Sequence, residues 1–255
     1  MLSAVLYGKR TGTGFAGAKL AIGKTQGAED VLTACVFERV AYLPDNVFEK
    51  FIEYLLDGQD TIGSLENLTF WCKWSHDNHK VEPDVLLTGS SGQHIIIEAK
   101  RYDSVAQQYP AQLARQLVAS RSNGIANPIL VTVGGLSDYT NKTQEKLKLG
   151  VKNELAKHGY KGDYYIYNVS WQKLYLSLEK AIDETDKPLQ RLLDDVRQAY
   201  LWHGIRYKPR QWLDELSPCH IYSINYPTAI KAEKHNYNFT PVHLTHTNFP
   251  SFLGV

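Results

Sequence analysis

Residues 81–101 read VEPDVLLTGSSGQHIIIEAKR, two apolar runs that flank the turn-forming residues GSSG at 89–92. This pattern predicts a β-hairpin. If the turn is centred in the middle of GSSG, antiparallel pairing sets Asp84 opposite Ile97. Asp84 is then a near neighbour of Glu98, within one register step. The hairpin therefore predicts that two carboxylates lie close together on adjacent strands.

The second strand of this hairpin carries apolar residues on both of its faces. Alternate residues of a strand share a face, and both sets here contain isoleucine, which predicts a central strand covered on both sides. Glu98 and Lys100 then emerge together where the strand ends. The first face holds His94, Ile96, Glu98 and Lys100, and the second holds Ile95, Ile97 and Ala99.

The remaining periodicity predicts an α/β domain with a mixed central β-sheet flanked by helices. A soft boundary near Asp186–Pro188 would separate a core over residues 1–186, including a Gly-rich N-terminal segment, from a helical and irregular C-terminal extension over 187–255. Helices are predicted over 28–43, 47–57, 110–120, 141–158, 171–182 and 188–201, and strands over 67–74, 81–87, 93–100, 128–135 and 163–169.

Composition excludes several classes of protein. The 255 residues carry a formal net charge of +1 and 43% hydrophobic residues, so the chain is globular and any nucleic-acid contact must be local. Cys35, Cys72 and Cys219 form no CxxC pair, which argues against a zinc knuckle and a disulfide framework. No signal peptide or transmembrane stretch is recognisable, so we expect a cytoplasmic protein without membrane contact.

Two phosphate-binding patterns occur near the N-terminus, and neither has the context that it needs. GxGxxG at 12–17 and AKLAIGKT at 18–25 both lack a preceding strand. The favoured interpretation is a flexible loop, although a Gly-rich basic segment could also contact a nucleic-acid backbone.

The paired carboxylates and the lysine suit metal-assisted hydrolysis. Asp84 and Glu98 provide hard oxygen ligands for Mg²⁺ or Mn²⁺, and the carbonyl of Ala99 could add another. Lys100 could orient or deprotonate water, or offset charge on a phosphate. Each fragment alone has a plainer interpretation, as a turn or a solvated strand end. It is their combination across one hairpin that favours catalysis.

Pro83–Asp84 with Glu98-Ala99-Lys100, followed by a helix bearing Gln112 and Gln116, resembles the PD-(D/E)xK nuclease superfamily over about residues 28–170. The resemblance implies a restriction-endonuclease-like fold, divalent metal, and cleavage of DNA, less often RNA, to 5′-phosphate ends. It also implies a further acid on the first core helix, and a glutamine that supports the site, such as Gln112. Its defence-type branches suggest a role in restriction or anti-phage defence.

Two acids compete for the position on the first helix. Glu29 and Glu38 are nine residues apart, which puts them on opposite faces, and the resemblance favours Glu29 as a ligand. For Glu29 the alternative is a simple favourable interaction with the helix dipole.

Basic residues beside aromatics are candidates for contact with nucleic acid. The helix at 141–158 is Lys-rich, but the favoured candidates are Arg101, Tyr102, Arg206, Lys208 and Arg210.

We therefore expect a metal-dependent DNA endonuclease, acting as a homodimer or with a defence-system partner protein. Two alternatives are a junction-resolvase-like enzyme and a binding subunit that keeps the fold without cutting.

Overall fold

A computed structural model describes residues 28–76 and 79–209 of the chain. Several predictions fall outside these residues. They concern both Gly-rich patterns near the N-terminus, Arg210, and the polar and aromatic tail that follows it.

Six helices and seven strands form the described part of the chain. The helices are α1 (Ala28–Val40), α2 (Asp45–Leu55), α3 (Pro110–Ser122), α4 (Asn141–Lys157), α5 (Trp171–Ala181) and α6 (Lys187–His203). The strands are β1 (Leu65–Phe70), β2 (Trp74–His76), β3 (His79–Val81), β4 (Val85–Gly89), β5 (His94–Ala99), β6 (Ile129–Val133) and β7 (Tyr165–Val169).

Five strands form one mixed sheet in the order β1-β4-β5-β6-β7. The hairpin half, β1-β4-β5, is antiparallel, whereas β5, β6 and β7 run parallel and are connected through α3 and α4. Helices cover both faces of the sheet, so the predicted α/β class with a mixed central sheet is confirmed. A separate two-stranded sheet consists of β2 and β3.

The central strand β5 contributes to two hydrophobic cores. Ile95 and Ile97 pack into the larger core, with residues of α1, α2, α5 and α6. Ile96 packs on the other face, against residues of α3 and α4. The prediction that β5 is central and covered on both faces is therefore confirmed, and Glu98 projects on the face of Ile96.

The hairpin register differs by one residue from the predicted one. Val85, rather than Asp84, lies opposite Ile97, and continuing this register places Asp84 level with Glu98. The loop has three residues, 90–92, because Gly89 already donates its N–H to the Gln93 carbonyl. Gly92 has a φ of 77°, which is the left-handed position that three-residue hairpin loops require.

The strands predicted over 67–74 and 81–87 are both shorter than expected. The first ends at Phe70, since Trp71 adopts a φ of 45° and leaves the extended conformation. The second is interrupted before Val85, where Pro83 has no N–H to donate to a sheet.

The last of the described helices, α6, packs on α1 and contributes Leu193, Val196 and Tyr200 to the larger core. Whether residues 187–255 form a separate subdomain stays a prediction, because 210–255 are not described. Among the described helices, none combines the length and the hydropathy that a membrane span requires.

Candidate active site

The predicted site residues meet where the parallel strands β5 and β6 end. The ladder continues one residue beyond β5, because Lys100 donates its N–H to the Val133 carbonyl at 2.7 Å. On the neighbouring strand, the chain turns directly after β6 at Gly134, whose φ is 70°. A Cβ at Gly134 would lie 2.1 Å from the Lys100 carbonyl oxygen, so only glycine allows this close approach.

Glu98 is the most buried carboxylate of the cluster, with a relative exposure of 2%. Its Oε1 accepts hydrogen bonds from Lys100 Nζ at 2.5 Å and Gln112 Nε2 at 2.6 Å, and its Oε2 accepts one from Gln116 Nε2 at 2.6 Å. Gln112 and Gln116 are one helical turn apart on α3 and so share a face. A carboxylate has about four acceptor positions, which leaves Glu98 room for a further partner.

Asp84 lies beside Glu98 and immediately precedes β4. Its Oδ2 accepts the backbone N–H of Ala99 at 2.8 Å, which fixes the carboxylate against β5. Burial and the neighbouring Glu98 carboxylate hold the pKa of Asp84 well above its ordinary value, although Lys100 and the Ala99 N–H act in the opposite direction. The positive charge near Asp84 is therefore too small to offset the effects of burial and of Glu98 on its ionisation.

Glu29, in the first turn of α1, joins the cluster at the strand end. One oxygen accepts from Lys100 Nζ at 3.4 Å and the other from the Arg101 backbone N–H at 2.9 Å. Glu38 instead lies 3.3 Å from the guanidinium of its neighbour Arg39. The structure thus brings Glu29, and not Glu38, to the candidate site.

Lys100 is the shared cation of this cluster, with 14% of its side chain exposed. Burial alone would lower the pKa of Lys100, but the Glu98 and Glu29 carboxylates outweigh it and raise that pKa above its ordinary value. The ammonium group is therefore charged at neutral pH, which favours an orienting or charge-offsetting role over that of a base.

The donor set fits a cation that keeps most of its water. Among residues 28–76 and 79–209, no three His, Cys, Asp or Glu side chains converge closely enough to hold a metal ion by themselves. Asp84 and Glu98 are adjacent, however, and Mg²⁺ is often held by only one or two carboxylates with several waters. The Ala99 N–H points toward Asp84. Because the N–H and C=O of a strand residue point the same way, the Ala99 carbonyl lies on the Asp84 side of β5 as well.

Three residues that the sequence analysis missed hold the strand end in place. Trp171, which is fully buried, donates its indole N–H to the Lys100 carbonyl at 2.7 Å. Asp103 caps α5 by accepting the Trp171 N–H at 2.8 Å. The Gln108 amide donates to the carbonyls of Glu98 and Gly134. The one local signal in the sequence was Gly134–Gly135 after β6, because adjacent glycines allow the backbone to approach Lys100 closely.

Contact with nucleic acid stays a prediction for Arg101, Tyr102, Arg206 and Lys208, and these residues differ in exposure. Arg101 is 7% exposed, its guanidinium donates to the His203 carbonyl at 3.3 Å, and it lies over the Tyr102 ring. Arg206 and Lys208 are exposed beyond α6, where Lys208 lies 3.9 Å from Glu179. Arg101 therefore contacts the end of α6 rather than an open surface.

Comparison with known proteins gives a relative but no activity. The chain is 48% identical, over 255 residues and the full length of both chains, to a protein of Pasteurella multocida (strain Pm70) named "Uncharacterized protein PM0110". No protein-family model matches the chain.

Proposed function

We propose that this chain, which belongs to the same family as the Pasteurella multocida protein, is a divalent-metal-dependent nuclease of the PD-(D/E)xK type that hydrolyses phosphodiester bonds in DNA. One observation carries the proposal: Glu29, Asp84, Glu98 and Lys100, from three separate elements, meet at the end of one buried strand.

The charge of this cluster supports the proposal. Glu29 and Glu98 pair with the Lys100 ammonium group and Asp84 lies beside Glu98, which leaves a formal excess of two negative charges when all groups are ionised. Buried charges normally have partners, because an uncompensated one costs several kcal/mol. A divalent cation beside Asp84 and Glu98 would supply the missing charge, whereas a purely structural ion pair would need only one carboxylate.

Each side chain has a role that follows from its contacts. When bound, Mg²⁺ or Mn²⁺ would polarise a phosphodiester oxygen and make water more acidic. Asp84 and Glu98 would hold the ion, with the Ala99 carbonyl nearby. Lys100 would orient water or offset charge on the phosphate.

Four further hydrogen bonds hold this arrangement in place. Gln112 and Gln116 fix the Glu98 carboxylate through their amide N–H groups. Glu29 holds the Lys100 ammonium group and the Arg101 backbone.

The substrate and setting are further parts of the proposal. DNA is favoured over RNA by the motif resemblance, and a cytoplasmic role in restriction or anti-phage defence follows from it as well. Arg206 and Lys208 offer exposed positive charge for a phosphate backbone. Association with a defence-system partner protein would fit the same role.

The test is incubation of the purified full-length protein with supercoiled plasmid DNA and Mg²⁺, Mn²⁺ or chelator. Asp84→Asn keeps an oxygen for the Ala99 N–H but loses the charge, and Lys100→Met keeps most of the side-chain volume. We expect each to lower cleavage by about 100-fold or more, the scale of loss for an electrostatic catalytic group. Glu154→Gln, on the surface of α4 and paired with Lys157, is the matched control and should cut like wild type.

Cleavage by the wild type and the control alone, and only with metal, would support the proposal. Equal cleavage by all four proteins would place the activity elsewhere. If none of them cuts plasmid, branched or single-stranded DNA, or RNA, while the wild type still binds DNA, the chain is a non-catalytic binding subunit.

A further inference from the structure

The sheet ends at β7, the last strand of the described sheet order. Tyr165 donates its N–H to the Pro128 carbonyl, and Val169 accepts the Gly134 N–H, so odd-numbered residues direct their backbone groups toward β6. The N–H and C=O of Ile166 therefore point away from the sheet. No hydrogen bond to these groups is formed within the described parts of the chain. Such an edge is a template for pairing with another strand.

A groove of about 600 Å³ runs along this edge, between β7 and one side of α4. Leu149 of α4 is 59% exposed and Tyr165 of β7 is 50% exposed, and both line the same groove. Glu145 and Lys152 flank Leu149 along the same side of α4. The edge thus combines backbone groups without a partner among the described residues, an apolar centre, and the charged residues Glu145, Lys148 and Lys152.

We propose that this surface is the interface with a second copy of the chain. The two β7 strands would pair antiparallel about Ile166, which joins two five-stranded sheets into one of ten strands. The two copies of α4 would lie side by side and antiparallel across the same twofold axis. An isologous interface of this kind requires a self-complementary surface.

The charges on α4 have this self-complementarity. Glu145 and Lys152 lie on either side of Leu149, four and three residues away. In an antiparallel pair of helices centred between Lys148 and Leu149, Glu145 of each copy faces Lys152 of the other. Glu145 is 69% exposed despite its contact with Lys148 at 3.1 Å, and Lys152 has no ion pair within the described residues.

The strand register is centred on the same place. The groove is lined by Tyr164, just before β7, by β7 residues 165–167, and by residues of α4 between Glu145 and Lys152. Pairing about Ile166 sets Tyr165 of one copy opposite Tyr167 of the other, a favourable aromatic cross-strand pair. A single twofold axis therefore satisfies the backbone, the aromatic rings and the charges together.

If the proposed nuclease function holds, this dimer has a functional consequence. Antiparallel β7 strands would make the two β5 strands run in opposite directions, so that the two candidate sites would lie at opposite strand ends of the joined sheet. Each site would then act on its own strand, and nicked plasmid would accumulate before linear plasmid. This consequence rests on the proposed function, whereas the dimer does not, because its test measures molar mass.

The dimer is tested by light scattering on the full-length protein from low to high micromolar concentration, where the mass should rise toward twice 28.9 kDa. Glu145→Lys and Lys152→Glu each place like charges across the axis and should raise the dimer Kd about tenfold or more. Lys157→Glu, on the same helix but outside the groove, is the control and should leave the Kd unchanged.

Mixing the two charge variants separates the interface from a folding defect. Glu145→Lys mixed with Lys152→Glu restores opposite charges at both contacts, so heterodimers should form with nearly the wild-type Kd. A monomeric wild type, or variants that leave the mass unchanged, would overturn the proposal. So would a monomeric protein in which Lys152→Glu weakens binding to a DNA duplex, since α4 would then be a nucleic-acid surface.

Discussion

Replacing Lys100 by methionine would leave the carboxylates of Glu98 and Glu29 without the ammonium group that they share. Removing one partner of a buried ion pair costs about 3–5 kcal/mol, and Glu98 is 2% exposed. Glu29, a third exposed, adds under about 1 kcal/mol. Because the amides of Gln112 and Gln116 still donate to Glu98, we expect the loss in free energy of unfolding to be near the lower bound, at about 3 kcal/mol.

This loss should depend on pH and on metal in a defined direction. The pKa of Lys100 is raised, so its stabilising contribution is complete below its ordinary value of 10.5 and is lost only when pH rises further. At neutral pH the full effect applies. Mg²⁺ should recover at least about 1 kcal/mol more in the variant than in the wild type, because a bound cation replaces the missing charge.

Urea unfolding at pH 7.5, with Mg²⁺ and with chelator, measures both effects. Lys173→Met is the matched control, because Lys173 pairs with Asp57 on the surface at 2.5 Å and should lose at most about 1 kcal/mol. Equal losses in Lys100→Met and Lys173→Met would refute the electrostatic reasoning. A loss of about 3 kcal/mol in Lys100→Met without recovery by Mg²⁺ would support the buried ion pair but count against a metal site.

Two further changes probe the surroundings of the site. Gln116→Leu removes a hydrogen bond to the buried Glu98 carboxylate and should lower the free energy of unfolding by about 1.5–3 kcal/mol. Gln112→Leu, at a less buried position on the same helix, should cost less, and the reverse order in urea unfolding would be contrary to the geometry. Burial, with a smaller effect from the Arg101 charge, lowers the pKa of His203 to about 4 from 6.5. Its contribution to stability, at most about 3 kcal/mol, is therefore present above pH 6.5 and lost as pH falls toward 4. Wild type should lose more stability than His203→Gln over that range, and parallel curves in acid titration would contradict this assignment.

Much of the fold could be predicted because it depends on local patterns. The apolar alternation in β5 identified a central strand with two covered faces, and helix periodicity located all six helices within a few residues. The strands around Trp71 and Pro83 could not be placed as well. Propensity favours extension at Trp71, and the contact of its N–H with the Asp84 carbonyl is not a local property.

The candidate site was predictable only in part. Asp84, Glu98 and Lys100 belong to one hairpin, so their proximity follows from a short loop. The register of the two strands was predicted one residue off, because it depends on the three-residue loop that ends at Gly92. Trp171 is 71 residues from the Lys100 carbonyl that it contacts. No periodicity in the sequence encodes such a pair.

By itself, the sequence determined which faces of each element are apolar and which residues end the central strand, because side-chain direction repeats with a fixed local period. Tertiary structure decided that Glu29 rather than Glu38 reaches Lys100, that the buried Arg101 contacts the end of α6, and that β7 is the last strand of the described sheet. These outcomes depend on how separate helices and strands pack against one another. That packing is set by the shape and volume of the whole core and not by any single segment.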